Sequence, residues 1–97
     1  MRNIIFHPDV EEEIQAAYQW YQQQSEDLGE QFLTELESAL QLVSLYPVLW
    51  PNFQLGFRRY LLPRFPYSVL YDSKGKMIFV VAVMHNHRHP KYWHKRL

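Results

Sequence analysis

The residues with the most chemistry in this 97-residue chain lie near its end, in His85-Asn86-His87-Arg88-His89 followed by Lys91-Tyr92-Trp93. In an extended strand alternate residues share a face, so His85, His87 and His89 would point one way and Asn86 and Arg88 the other. Three imidazoles on one face are a metal-ligand pattern, but a short histidine tract is a weak signal and Asp72 is the only acid in the second half of the chain. A solvated strand end is the plain alternative. The third reading is a phosphate or nucleic-acid surface, because histidine moves protons near neutral pH and arginine grips phosphate in a two-pronged way. We expect no metal and no cofactor.

A second basic group is Arg58-Arg59 with Arg64. Adjacent strand residues face opposite sides, so at most one of Arg58 and Arg59 joins Arg88 on a face, and Arg64 at the start of the next strand would be brought near. With Tyr60, Tyr67, Tyr92 and Trp93 interleaved, these are the parts of a nucleic-acid surface. The competing reading makes the rings core and the arginines edge protection, and for Tyr67 and Tyr71 the core reading is favoured. Glycine-rich phosphate loops and a GxSxG nucleophile are absent, and three glycines cannot build a backbone phosphate cradle. The carboxylates fall on helices as solvated faces.

The elements that must position these residues follow from periodicity. Val10, Ile14, Ala17, Tyr18 and Tyr21 form one helical stripe. Phe32, Leu33, Leu36, Leu40 and Val43 form a second. Asp9 with Glu12, and Asp27 with Glu30, have capping-box spacing. Trp20 lies off its stripe, free to meet a loop or a partner. After a loop punctuated by Pro47, Pro51, Asn52 and Gly56, with Trp50 and Phe53 as anchors, the pattern changes to β-branched and aromatic runs. Ile78–Val83 is apolar without alternation, as in a strand covered on both faces. The spacing predicts helices at 9–24 and 28–46 and strands at 3–6, 57–62, 65–72 and 77–86. The fold class expected is α+β: an N-terminal strand and an antiparallel helical hairpin packed on an antiparallel sheet, as one domain over residues 1–97.

Net charge is zero, yet Met1–Val48 holds one basic residue, Arg2, against nine acids, and Leu49–Leu97 holds nine basic residues against Asp72. Such asymmetry suggests a basic surface with an anionic partner. There is no cysteine, which excludes disulfides and thiolate metal sites. No apolar run reaches membrane-spanning length, and no signal peptide is expected.

The order of motifs resembles the RelE/ParE superfamily of type II toxin–antitoxin toxins, often labelled plasmid stabilisation proteins. The likeness runs from Ile4 to Trp93. It rests on His7-Pro8 before an acidic helix, Trp20-Tyr21, Leu28-Gly29-Glu30-Gln31-Phe32, Tyr46-Pro47, Arg58-Arg59, Arg64-Phe65-Pro66-Tyr67 with Tyr71, and His85-x-x-Arg88-x-Pro90-x-x-Trp93. The resemblance implies a β-α-α-β-β-β fold and a cytoplasmic toxin neutralised by a cognate antitoxin. Its target would be DNA gyrase, as for ParE-like members, or mRNA on the ribosome, as for metal-independent RelE-like endoribonucleases. A non-toxic binding module that keeps the fold is a third possibility. On the nuclease reading His85 or His87 would move protons, and Arg64 and Arg88 would hold the phosphate. Tyr92 or Trp93 would stack a base, with Arg58, Arg59 and Lys91 adding contacts. Trp93 falls near where RelE-type nucleases place a functional tyrosine, and Ser68 where they often carry an arginine. Both departures, with the long helical hairpin, lean towards the gyrase reading.

Overall fold

The computed structural model describes residues 2–97. Its order is β1 (Asn3–Phe6), α1 (Val10–Gln24), α2 (Leu28–Leu45), β2 (Arg58–Leu61), β3 (Tyr67–Lys74) and β4 (Met77–His85), followed by a 3₁₀ turn at His94–Arg96. This is the β-α-α-β-β-β order expected. The sheet order is β1-β4-β3-β2. β2, β3 and β4 form an antiparallel meander. β1, expected in an antiparallel sheet, runs parallel to β4, so the sheet is mixed. The consequence is functional. Parallel pairing puts the ends of β1 and β4 at the same edge, so the start of α1 stands beside the last residues of β4.

Of the two predicted stripes, Val10, Ala17 and Tyr21 from α1 and Phe32, Leu36 and Val43 from α2 are buried, joined by Ala39, against Val69, Tyr71, Ile78, Val80 and Val83, while Ile14, Leu33 and Leu40 are partly buried at the margin. The rear of the sheet is covered too. Phe57, Leu70, Val81, Ala82, Met84 and Trp93 form a second cluster there, flanked by Phe53, Phe79 and Tyr92. Burial on both faces explains why β4 lacks alternation. A β-bulge adds to it: Leu70 pairs with Ala82 and Tyr71 with Val80, leaving Val81 without a partner. An extra residue switches the face of everything after it. Hence Val80 and Val83 both join the helix-side core, while Val81 and Ala82 join the rear one.

Neither capping box forms, as Asp9 and Asp27 make no side-chain cap bond. Asp27 is spent on chain reversal. It takes a left-handed conformation (φ 68°) in the short link between helices, which aspartate tolerates better than most residues. Glu30 instead accepts a hydrogen bond from the Tyr18 hydroxyl at 3.1 Å. The helices meet closely at Gly29, whose amide donates to Gln22 Oε1 at 2.8 Å. A β-carbon there would lie 2.8 Å from the Tyr18 carbonyl oxygen and 2.9 Å from its ring. Gly→Ala inside a helix is ordinarily stabilising by roughly 1 kcal/mol. Here the sign reverses, because a backbone carbonyl cannot step aside. Gly29→Ala is expected to lower stability by about 1–3 kcal/mol, measured by urea denaturation; a midpoint at or above that of the parent chain would show that the helices separate freely.

Candidate functional site

Past Val80, β4 loses its neighbour. β1 ends at Phe6, His7 N donates to the Val80 carbonyl, and Pro8 turns the chain away. The outer edge of β4 from Val81 onward would expose unpaired backbone groups. Two charged side chains complete it. Arg96 Nη1 donates to the Val81 carbonyl at 3.0 Å, and Val83 N donates to Glu13 Oε1 at 3.0 Å. The two then pair with each other, Arg96 Nη2 to Glu13 Oε2 at 2.7 Å, and Asp9 lies 3.6 Å from Arg96 Nε. The Arg96 and Glu13 side chains are 5% and 10% exposed. Burial works to lower the Arg96 pKa, but the hydrogen bond and charge of Glu13 outweigh it and raise it overall.

This clip forms one wall of a cleft of about 990 Å³. Asp9, Glu12, Glu13, Ala16, Ala17, Trp20 and Tyr21 line it from the start and body of α1, Pro66 from just before β3, Tyr67, Val83, Met84 and His85 from the sheet, and Arg88, Tyr92 and Arg96 from the C-terminal segment. Trp20 is exposed at its mouth. The Arg88 guanidinium sits 4.5 Å from the centre of the Tyr92 ring. Among the described residues, Arg88 has no ion pair. Burial raises the Tyr67 pKa and the Arg88 charge opposes it. Burial also raises that of Tyr92, helped by Glu13. The arrangement offers an apolar floor, aromatic walls, an acidic flank in which Asp9 and Glu13 are engaged by Arg96 beside Glu12, and at Arg88 a cation with no ion pair among the described residues. Its Arg88 end suits an anionic group attached to something apolar.

Several expected site residues are elsewhere. β4 stops at His85, because β3 pairing ends at Tyr67 and the last backbone bond is Asn86 N to the Pro66 carbonyl. A turn follows, with Arg88 N donating to the His85 carbonyl at 2.9 Å. The three histidines therefore do not alternate along a strand. His85 packs edge-on to Tyr67 at 5.2 Å and His87 lies 5.4 Å from His85. His89 and Lys91 are exposed; His89 Nδ1 accepts from Lys91 N. Among the described residues no cluster of potential ligands could hold a metal ion.

Arg64, expected beside Arg88, is held by Glu35 of α2 through its backbone amide at 2.8 Å and its side chain at 2.9 Å. Arg58 donates to the Trp50 carbonyl at 2.6 Å and secures the loop before β2. Trp50 anchors that loop as expected, packing edge-on against Tyr60. Arg59 is on the rear face, bonded to Ser68 at 3.0 Å and lying over Phe53. Trp93 is 0% exposed and cannot stack a base. Tyr71 is core as expected, its hydroxyl donating to the Pro47 carbonyl and its pKa pushed by burial up to about 12. The cleft brings together His85, Arg88 and Tyr92, with His87 packed on His85. Arg96 and Glu13 were not legible, since their partnership spans 83 residues; for Trp20, its place off the helical stripe was the signal.

No curated protein matches the chain. Among solved structures, it is similar to a chain of the "Chromosomal ParDE TA system from P. aeruginosa", with 20% identity and a TM-score of 0.62, over 88% of this chain and 96% of that one. That likeness speaks for the fold. Residues 4–90 match the family model described as the ParE toxin of type II toxin–antitoxin system, parDE. With nearly the whole chain inside that match, this protein belongs to the ParE toxin family.

Proposed function

We propose that this chain is a growth-inhibiting toxin of the cytoplasm that acts on DNA gyrase and is neutralised by a cognate antitoxin. The observation that supports the gyrase reading is the loss of phosphate grip around the clustered His85, His87, Arg88 and Tyr92, since the other arginines and the second stacking ring expected of a ribonuclease are held elsewhere. Arg64 is tied to Glu35, Arg59 to Ser68 on the rear face, and Trp93 is in the core. On this reading the cluster that remains, an exposed Arg88 with His85, His87 and Tyr92 beside an apolar, aromatic cleft, serves as contact surface. The same cleft suits an acidic, apolar segment of the antitoxin, whose carboxylates would meet Arg88 and whose apolar side chains would cover Trp20 and the alanine floor. Among the described residues, no helix is long and apolar enough to cross a membrane.

The test is brief induction in a bacterial host while protein synthesis, DNA synthesis and the DNA-damage response are followed in parallel. The expected result is early DNA damage with translation intact, relieved by co-expressing the product of the adjacent small reading frame, which should also co-purify. Early arrest of translation with mRNA cleaved in the ribosomal A site would overturn the gyrase reading in favour of the endoribonuclease. Harmless expression would favour a binding module that has kept the fold.

A further inference from the structure

The free cation of the cleft is held by a ring rather than by an acid. Arg88 lies over Tyr92 at 4.5 Å, a cation–π distance, and none of the side-chain hydrogen bonds involves its guanidinium among the described residues. The ring engages a second cation, because the Arg96 guanidinium is 4.8 Å from the same centroid. Arg96 is itself immobilised by Glu13 and by the Val81 carbonyl. The backbone of this segment is set separately, by Arg88 N to the His85 carbonyl and Tyr92 N to the His89 carbonyl. Main-chain bonds place the turn. They leave open where a long, rotamer-rich arginine side chain points. A surface ring that binds a flexible cation narrows that choice before any partner arrives, which lowers the ordering cost of binding.

The geometry points to Tyr92 as a positioning residue that holds the Arg88 guanidinium at the cleft, with Arg96, locked to Glu13, fixing Tyr92 in turn. Tyr92 is thereby not an open stacking platform for a base: its ring is already engaged by two guanidinium groups. The inference rests on the reading of Arg88 as contact surface of a toxin, and two readouts separate them.

The first readout is independent of toxicity. In the arginine-labelled protein, a ring over the guanidinium shifts the Arg88 side-chain proton resonances upfield, and Arg88→Ala assigns them. The shift is expected to persist in Tyr92→Phe and to vanish in Tyr92→Leu. The second is growth inhibition at matched levels of soluble protein. Tyr92→Leu is expected to weaken inhibition on the order of 2- to 30-fold, the span of a cation–π contact, and Tyr92→Phe to restore it. Thermal melts accompany both, and Tyr92→Met, whose longer flexible side chain fills gaps without a ring, replaces the leucine variant if that melts early. An unchanged Arg88 resonance in Tyr92→Leu overturns the inference. So does full toxicity of Tyr92→Leu beside a harmless Arg88→Ala. Full toxicity of Arg88→Ala would instead overturn the contact-surface reading, and with it the functional half of this proposal.

Discussion

Arg88→Ala is expected to abolish most growth inhibition while leaving a folded protein. Truncating an arginine at the centre of a binding surface typically costs 2 kcal/mol or more, so a weakening of at least about 30-fold is anticipated. The stability cost should stay under about 1 kcal/mol, because the side chain is exposed, makes no ion pair among the described residues, and contributes only its contact with Tyr92. Viable counts after induction, read against a thermal melt of the purified protein, check both halves. A folded Arg88→Ala protein that still kills at the parent rate would place the functional surface elsewhere. Lys91→Ala is the natural control: exposed and three residues away, it does not line the cleft and is expected to change inhibition little.

Arg96→Met should have the opposite signature, a large loss of stability. Removing one member of a buried pair strands the other, and Glu13 would remain charged and buried against the β4 edge. Such lesions cost ~3–5 kcal/mol. For a domain of this size each kcal/mol lowers the melting temperature by about 4–8 °C, so a fall of more than about 10 °C is expected. The Val81 carbonyl also loses its donor. The companion change Glu13→Gln removes the stranded charge while its amide oxygen can still accept from Val83 N. The double variant should therefore be more stable than Arg96→Met alone, and a double-mutant cycle reads the coupling directly. A melt of Arg96→Met within a degree or two of the parent, or a double variant no better than the single one, would show that the clip is incidental to the fold.

Most of the architecture was legible in the chain because it rests on local periodicities. The 3.6-residue stripes from Val10 to Tyr21 and from Phe32 to Val43, and the extended runs after Gly56, each report which face must be buried, and that information sits within a few residues. The observed helices and strands fall within about two residues of the expected bounds. The lack of alternation in Ile78–Val83 correctly implied cover on both faces. Capping was read less well: Asp27 had the right neighbours, but the sequence cannot say that a short interhelical link needs its backbone in a left-handed turn.

Arg88, His85 and Tyr92 were legible as candidates by residue type alone. Which basic residues would join them was not. Arg64 lies between two strands and looked free, until α2 delivered Glu35 from 29 positions away. Trp93 looked like surface in a polar tail, but it is buried in the rear cluster with Phe57, Leu70, Val81, Ala82 and Met84. The bulge at Val81 leaves no mark that pattern reading detects, yet with the early end of β1 it creates the free edge that Glu13 and Arg96 occupy. Parallel pairing of β1 with β4 brings those two together across 83 residues. Sequence by itself determined the elements and the supply of charge, because both depend on residue type and short-range spacing. Only tertiary structure decided which charges are consumed by partners and which remain free, because an ion pair depends on distance in space, and long-range contacts alone set that distance.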